Sequence, residues 1–191
     1  MLRAARELLA EEGLEALTMR ALAARLAVRP NALYSYVASK TDLIDDLLDD
    51  VLADVEAPDP DVDDAAAGLH AVMASTYHVL LAHPDLVPLY LARQGARGAN
   101  ATRLGDVMLG LLDRAGVDGP RAREALRVLI VYTIGFAAFA TRPASDPGGD
   151  AKLSAEELLA NFDSGLRWLL AGIAPNAAPS AARRRAGSPR R

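Results

Sequence analysis

Between residues 18 and 40 the chain gathers Thr18, Arg20, Arg29, Pro30, Asn31, Tyr34, Ser35, Tyr36 and Lys40. No acid–base or nucleophile pair stands among them. Their chemistry is hydrogen bonding to an anionic, base-bearing surface. Asn pairs with adenine edges, and Arg with guanine or phosphate. Tyrosine hydroxyls position a protein on phosphates. The elements that must hold them can be read from the same stretch. Thr18 is an N-cap, and Leu17 and Leu22 have the spacing of a hydrophobic staple. Leu22, Ala23 and Leu26 form one apolar face, in a helix expected to end near Ala27 and Val28. Arg29-Pro30 restarts a helix, with proline at its first position. Leu33 and Val37 lie four apart and face inward. Asn31, Ala32, Ser35 and Tyr36 are left outside, with Tyr34 at the edge. A helix this short needs neighbours, as when the outer helix of a helix-turn-helix enters a major groove. Ser39 and Asp42 form a near capping box opening the next helix at Lys40, whose amine and first N–H groups suit a phosphate. By spacing alone, an ordinary three-helix packing unit with surface tyrosines accounts for the segment about as well.

Three runs shift that balance: Leu17-Thr-Met-Arg-Ala-Leu-Ala, Asn31-Ala-Leu-Tyr-Ser-Tyr-Val and Ser39-Lys-Thr-Asp-Leu-Ile. They closely resemble the DNA-binding domain of the TetR family of bacterial repressors. The resemblance covers residues 2–52. The remainder is similar, more weakly, to the family's tetracycline-repressor-like ligand-binding class. It implies that the nine residues named above face double-stranded DNA, in two half-sites of a palindromic operator. Two departures stand out. Ala27 occupies a turn position where the family usually has glycine, and a left-handed alanine there would cost about 1 kcal/mol. Met1-Leu-Arg falls inside the first helix, whose apolar set is Leu2, Ala5, Leu8 and Leu9. The family's usual polar or basic arm is missing before it, which implies a start placed late or a lost minor-groove contact.

The 191 residues carry no cysteine, so no disulfide framework or thiolate metal site is expected. Alanine and leucine dominate, strands have little support, and the fold class is all-α with about nine helices. Residues 1–41 read as the three-helix head, 42–173 as a ligand-binding and dimerisation body, and 174–191 as a disordered tail. The longest apolar run, Val128 to Thr141, is too short to span a bilayer. No signal peptide is evident, so a cytoplasmic protein without a membrane partner is expected. The net charge of −4 looks wrong for a DNA binder. Residues 1–40, however, hold six basic against four acidic side chains, and residues 54–64 hold six acids and no base. Local sign near the phosphates matters more than the total.

In the body, Leu43, Ile44, Leu47, Leu48, Val51, Leu52 and Val55 make one stripe of a long fourth helix. Asp42, Asp45, Asp46, Asp49, Asp50 and Asp54 then read as its solvated acidic face. A fifth helix is expected from about Asp61 to Ala82, a sixth over 85–93, a seventh ending at Gly116 and an eighth running to Arg142. A Pro/Gly-rich loop over 143–153 precedes a ninth helix capped by Ser154 and Glu157. The eighth helix is apolar almost all round, so it should be buried on every side. A second subunit is one natural cover, and the core of a monomer the other. The resemblance implies a homodimer in which helices eight and nine pair with their symmetry mates. Its expected contact residues are Val128, Val131, Gly135, Ala138, Leu158, Phe162, Leu166 and Leu169. Met73, Tyr77, Tyr90, Gln94, Met108, Tyr132, Phe136 and Phe139 could line a pocket for a small apolar or amphipathic effector. His70, His78 and His83 lack metal-ligand spacing, and no phosphate loop or nucleophile turn occurs. No catalytic residue, metal or cofactor is therefore expected. The alternative function is a helical dimeric interaction protein that has lost specific DNA binding.

Overall fold

The computed structural model describes residues 1–59, 62–142 and 153–173, whose regular elements are all helices, with no strand among them. The tail expected over 174–191, and the loop over 143–153 except Leu153, lie outside the described residues. The head comprises α1 (Leu2–Glu12), α2 (Met19–Arg25), α3 (Pro30–Leu33) and the start of α4 (Lys40–Val51). The body adds α5 (Ala65–Ala82), α6 (Val87–Arg93), α7 (Ala99–Arg114), α8 (Gly119–Ala140) and α9 (Ala155–Ile173). The chain between α4 and α5 first tightens into a 3-10 turn, Leu52–Asp54, and a second such turn, Pro84–Leu86, precedes α6. α5 starts later than expected because Asp64 caps it, its carboxylate accepting from the amides of Ala66 and Ala67 at 3.0 Å.

Two apolar cores organise these helices. Ala5, Leu8, Leu17, Met19, Leu22, Ala23, Leu33, Val37, Leu43 and Leu47 fill the head. The body core takes Leu9 from α1 and Leu48 and Val51 from α4, together with the inner faces of α5 to α9. Leu47 and Leu48 are neighbours in sequence, so they point to sides of α4 about 100° apart. That one step in the helix hands the chain from one core to the other. α5 is long and apolar enough to cross a membrane by length and composition, which the sequence reading did not single out. In the fold it is the central body helix, packed against α7, α8 and α9.

Ion pairs fix the head. The Arg25 guanidinium bonds both oxygens of Glu11 at 2.7 Å and lies 3.6 Å from Glu7, tying α2 to α1. Arg6 reaches Asp50 at 3.3 Å, tying α1 to α4.

The turn between α2 and α3 keeps the left-handed geometry despite its alanine. Ala27 has φ 54°. Its N–H bonds to the Ala24 carbonyl, and the Val28 N–H bonds to the Ala23 carbonyl, the paired bonds of a Schellman ending. The helix stops two residues earlier than its apolar pattern indicates, because this reversal consumes its last carbonyls. Substituting Ala27→Gly should relieve the Cβ clash, offset in part by glycine's greater freedom when unfolded. A net gain of about 0.5–1 kcal/mol is expected, or roughly 1–4 °C in Tm by circular dichroism melting. A lower Tm would refute the strain at this turn.

Candidate nucleic-acid interface and effector cavity

The reading segment is built from local bonds. The Thr18 hydroxyl accepts from the Ala21 amide at 3.1 Å and starts α2. Arg29 is extended, and Pro30 opens α3. α3 is shorter than the expected 30–36: it closes at Leu33, and residues 34–36 continue as turns, with the Tyr36 amide on the Leu33 carbonyl. The Ser35 hydroxyl donates to the Ala32 carbonyl at 2.7 Å. Leu33 and Val37 anchor the segment in the head core. That leaves Asn31, Tyr34, Ser35 and Tyr36 outside, with Tyr36 79% exposed. Arg20 and Arg29 are exposed and have no ion-pair partner among the described residues. Lys40 is only half exposed. Its amine donates to the Leu14 carbonyl at 3.3 Å, closing the α1–α2 connection, a contact the sequence reading did not anticipate. Ser39 caps α4 through the Asp42 amide at 3.1 Å.

In the body a cavity of about 150 Å³ lies among α5, α6, α7 and α8. Of the eight residues expected to line a pocket, Met73, Tyr90, Gln94 and Met108 line this one, joined by Leu52, Thr76, Leu80, Leu104, Ile130 and Ile134. The other four belong elsewhere. The Tyr77 ring stacks on Phe162 with centroids 4.0 Å apart, and Tyr132 stacks on the same ring at 5.4 Å. Phe136 meets Tyr77 and Phe162 edge-on, and the Tyr132 hydroxyl donates to the Phe162 carbonyl at 2.8 Å. Phe139 is 62% exposed. These four were read as lining because aromatic residues on buried helices look alike whether they face a hole or each other.

The cavity borders α4. The Tyr90 hydroxyl donates to the Leu48 carbonyl at 2.5 Å. Burial and the nearby Asp49 charge push the phenol pKa well above its usual value. Further along α4, Asn100 donates its side-chain amide to the Asp49 carbonyl at 3.1 Å, and Arg103 reaches the Leu52 carbonyl at 3.3 Å. The C-terminal carbonyls of α4 are thus capped by the body's side chains.

Three of the expected solvated acids are engaged by other helices instead. Asp45 takes a two-pronged contact from Arg93 at 2.7 and 2.5 Å, which holds its carboxyl below the usual range. Asp49 accepts from the amides of Asn100 and Ala101 at 3.1 and 2.8 Å, capping α7. Asp50 meets Arg6. Asp46 is left beside Asp42, Asp45 and Asp49, and its pKa is raised, first by burial and then by these like charges. The partners of Asp45 and Asp49 lie about fifty positions away, beyond the reach of any local pattern.

α8 is not buried on every side of the chain. Leu129, Thr133, Ile134 and Ala137 face inward, whereas Val128, Val131 at 70% exposure, Gly135 and Phe139 form an open stripe. Of the expected contact residues on α9, Phe162 and Leu166 point into the body core, while Leu158 and Leu169 are partly open. Leu159 and Trp168, the latter 77% exposed, were not singled out in the sequence. The 3.6 period gathers the apolar residues of α9 on one side, Trp168 excepted, but does not say which part of that side meets the chain's own core.

Residues 1–47 match the family described as bacterial regulatory proteins, tetR family. Residues 57–158 match the tetracyclin repressor-like C-terminal domain. The chain belongs to the TetR family. A curated relative from Saccharopolyspora erythraea, an HTH-type transcriptional regulator, is 30% identical over 196 residues, spanning 91% of this chain and 83% of the relative. Apo ActR of Streptomyces coelicolor has a similar structure, with TM-score 0.78, 26% identity, and 90% and 91% of the two chains covered. ActR has also been solved with (S)-DNPA. BioQ of Mycobacterium smegmatis is similar at TM-score 0.75 and 26% identity, over 91% and 95% of the chains. BioQ has also been solved with its natural double-stranded DNA operator. This TetR-family chain is a DNA-binding transcriptional regulator with a helix-turn-helix head and a helical body.

Two measurements probe the α4 clamps. Gly98 has φ 152°, and a Cβ there would lie 2.3 Å from the Asp49 carboxyl carbon. Gly98→Ala should therefore lower stability by about 2 kcal/mol or more, seen as a lower urea midpoint. An unchanged midpoint would mean that Asp49 does not hold this turn. Asp45 has a depressed pKa, so its contribution is present above the unfolded carboxyl pKa and lost as pH falls toward the folded one. The stability deficit of Asp45→Asn should be full at pH 7 and shrink toward zero on acidification. A deficit independent of pH would contradict the ion pair.

Proposed function

We propose that the protein is a ligand-responsive repressor that binds a palindromic operator as a homodimer. Each subunit would present residues 30–36 to a major groove, with Arg20, Arg29 and the tyrosines on flanking phosphates. Residues 1–41 would serve as the reading head and 42–173 as the effector and dimer body, with α4 shared between them. The open apolar stripe of α8 and the exposed α9 residues would pair across a two-fold axis in a four-helix bundle. No catalysis and no cofactor enter this reading, and the protein works in the cytoplasm.

The observation that carries the reading is the Tyr90–Leu48 hydrogen bond. Tyr90 lines the cavity, and Leu48 sits on the helix that also completes the head core through Leu43 and Leu47. Binding sites for drug-sized ligands run to about 300–1,000 Å³. A molecule larger than a single ring must therefore push the cavity open. The rim is formed at Gln94 and Gly95, both with left-handed backbones. Arg93, next to that rim, holds Asp45 of α4. An effector that opens the rim would favour another setting of α4 and so another spacing of the two heads.

Selection from random duplexes should return an inverted repeat, and binding to it should fall steeply with added salt. Tyr36→Ala should weaken binding to all sequences alike. Asn31→Ala should cost about 1–3 kcal/mol on the selected site and relax preference at one base pair per half-site. Absence of any enriched site would remove the repressor reading. Val131→Glu places a charge where the single chain is already open, so the fold should survive while light scattering reports a monomer. A wild-type chain that is monomeric at micromolar concentration would remove the dimer and the palindrome together.

A further inference from the structure

The polar groups around the cavity differ in what they can still bond. Thr76, Tyr90 and Gln94 carry the side-chain hydrogen-bonding atoms of the lining. The Thr76 hydroxyl gives its proton to the Val72 carbonyl at 2.8 Å, and Tyr90 gives its own to Leu48. Each hydroxyl, with its one proton spent, has only lone pairs to offer. Gln94 lies at the exposed mouth. Among the described residues no lining side chain is charged. The nearby guanidinium groups are turned to other partners outside the lining: Arg93 to both oxygens of Asp45, Arg97 to the Arg93 carbonyl at 2.8 Å and Arg103 to the Leu52 carbonyl at 3.3 Å. A carboxylate or phosphate seated against Thr76 and Tyr90 would meet oxygen lone pairs and no charge in the lining, which opposes its desolvation. A molecule with acceptors alone would set its oxygens against those of Thr76 and Tyr90.

We propose that the cavity selects a small neutral molecule that donates a hydrogen bond, its hydroxyl or N–H held by the oxygens of Tyr90 and Thr76. Its apolar part would lie on Met73, Leu104, Met108 and Ile134. The proposal rests on the reading of this cavity as the effector site and names the chemistry of its ligand. The volume suits a single ring, since an apolar cavity of about 150 Å³ accepts benzene.

The test titrates the full chain with phenol, anisole, toluene and benzoate by calorimetry. Phenol should bind about three- to tenfold more tightly than anisole or toluene, the worth of one neutral hydrogen bond. Benzoate should not bind. Thr76→Val and Tyr90→Phe should each shrink the phenol preference more than Gln94→Ala does. Tyr90→Phe also uncaps Leu48, so Thr76→Val alone decides if that variant fails to fold. Ala101 also lines the cavity, and Ala101→Phe, which fills it, should abolish phenol binding. If phenol still binds this variant, the molecule sits elsewhere and the assignment falls. Equal binding of phenol and anisole overturns the donor requirement while leaving the effector cavity in place. Preference for benzoate overturns the charge argument. A phenol preference lost only in Gln94→Ala moves the donor to the mouth and refutes the assignment. If none of the four probes binds at millimolar concentration, the effector-cavity reading itself fails, and this proposal with it.

Discussion

One helix belongs to two cores, and the rest of the structure depends on it. α4 contributes Leu43 and Leu47 to the head and Leu48 and Val51 to the body. A twelve-residue helix is a stiff rod about 18 Å long. A shift of its body end is therefore delivered to the head and not absorbed on the way. The body holds that end through directional bonds as well as apolar contact. Tyr90, Asn100 and Arg103 cap its carbonyls, and Arg93 grips Asp45. Close-packed apolar surfaces resist sliding, and these hydrogen bonds add direction to the seat of the helix. Leu9 of α1 adds a further point of attachment, reaching out of the head into the body core.

Strain is placed where movement would be useful. Gln94, a non-glycine residue with φ 57°, ends α6, and Gly95 and Gly98 follow within four residues. Such left-handed positions persist because their neighbours hold them. Here the neighbours are the Asp45–Arg93 pair on one side and the Asp49 cap of α7 on the other. The segment between these clamps forms the cavity rim. The cavity rim and α4 are thus joined by a short stretch of backbone in which Gln94, a non-glycine residue, holds a left-handed conformation. Ala27 repeats the pattern in the head, where the left-handed turn sets the angle between α2 and α3.

What could be read from the sequence was what is local. Thr18, Ser39 and the Ser154–Glu157 box cap their helices through partners three residues away, and each is in place. The inward residues Leu33 and Val37 and the outward tyrosines follow from the helical period alone. The acids of α4 did not yield to the same reasoning, because Asp45 and Asp49 find partners on α6 and α7. Phe162 was equally opaque. It takes a place in a three-ring stack with Tyr77 and Tyr132 that exists only once α5, α8 and α9 have met. Periodicity says that a helix has an apolar side. It does not say whether that side meets the chain's own core, a cavity or another copy.

The charge balance bears on how such a protein can hold DNA at all. Of the head's six cations, Arg25 is committed to Glu11, Arg6 to Asp50 and Lys40 to a backbone carbonyl, and Arg3 lies 3.8 Å from Glu7. Among the described residues Arg20 and Arg29 have no ion-pair partner. Each neutralised phosphate adds roughly one unit to the salt dependence of binding, so a head with two free arginines is a weak polyanion ligand by itself. In the proposed reading, neutral donors such as Tyr36, Asn31 and the backbone would supply register, and affinity would come from engaging two heads at once. Linked binding gains only when both sites can be reached together, and the gain disappears when geometry forbids it. A body that shifts the spacing of the heads by a few ångströms then needs no contact with DNA to release it. The net negative charge of the chain, with six acids in residues 54–64, disfavours loose association with the duplex once the second head has let go.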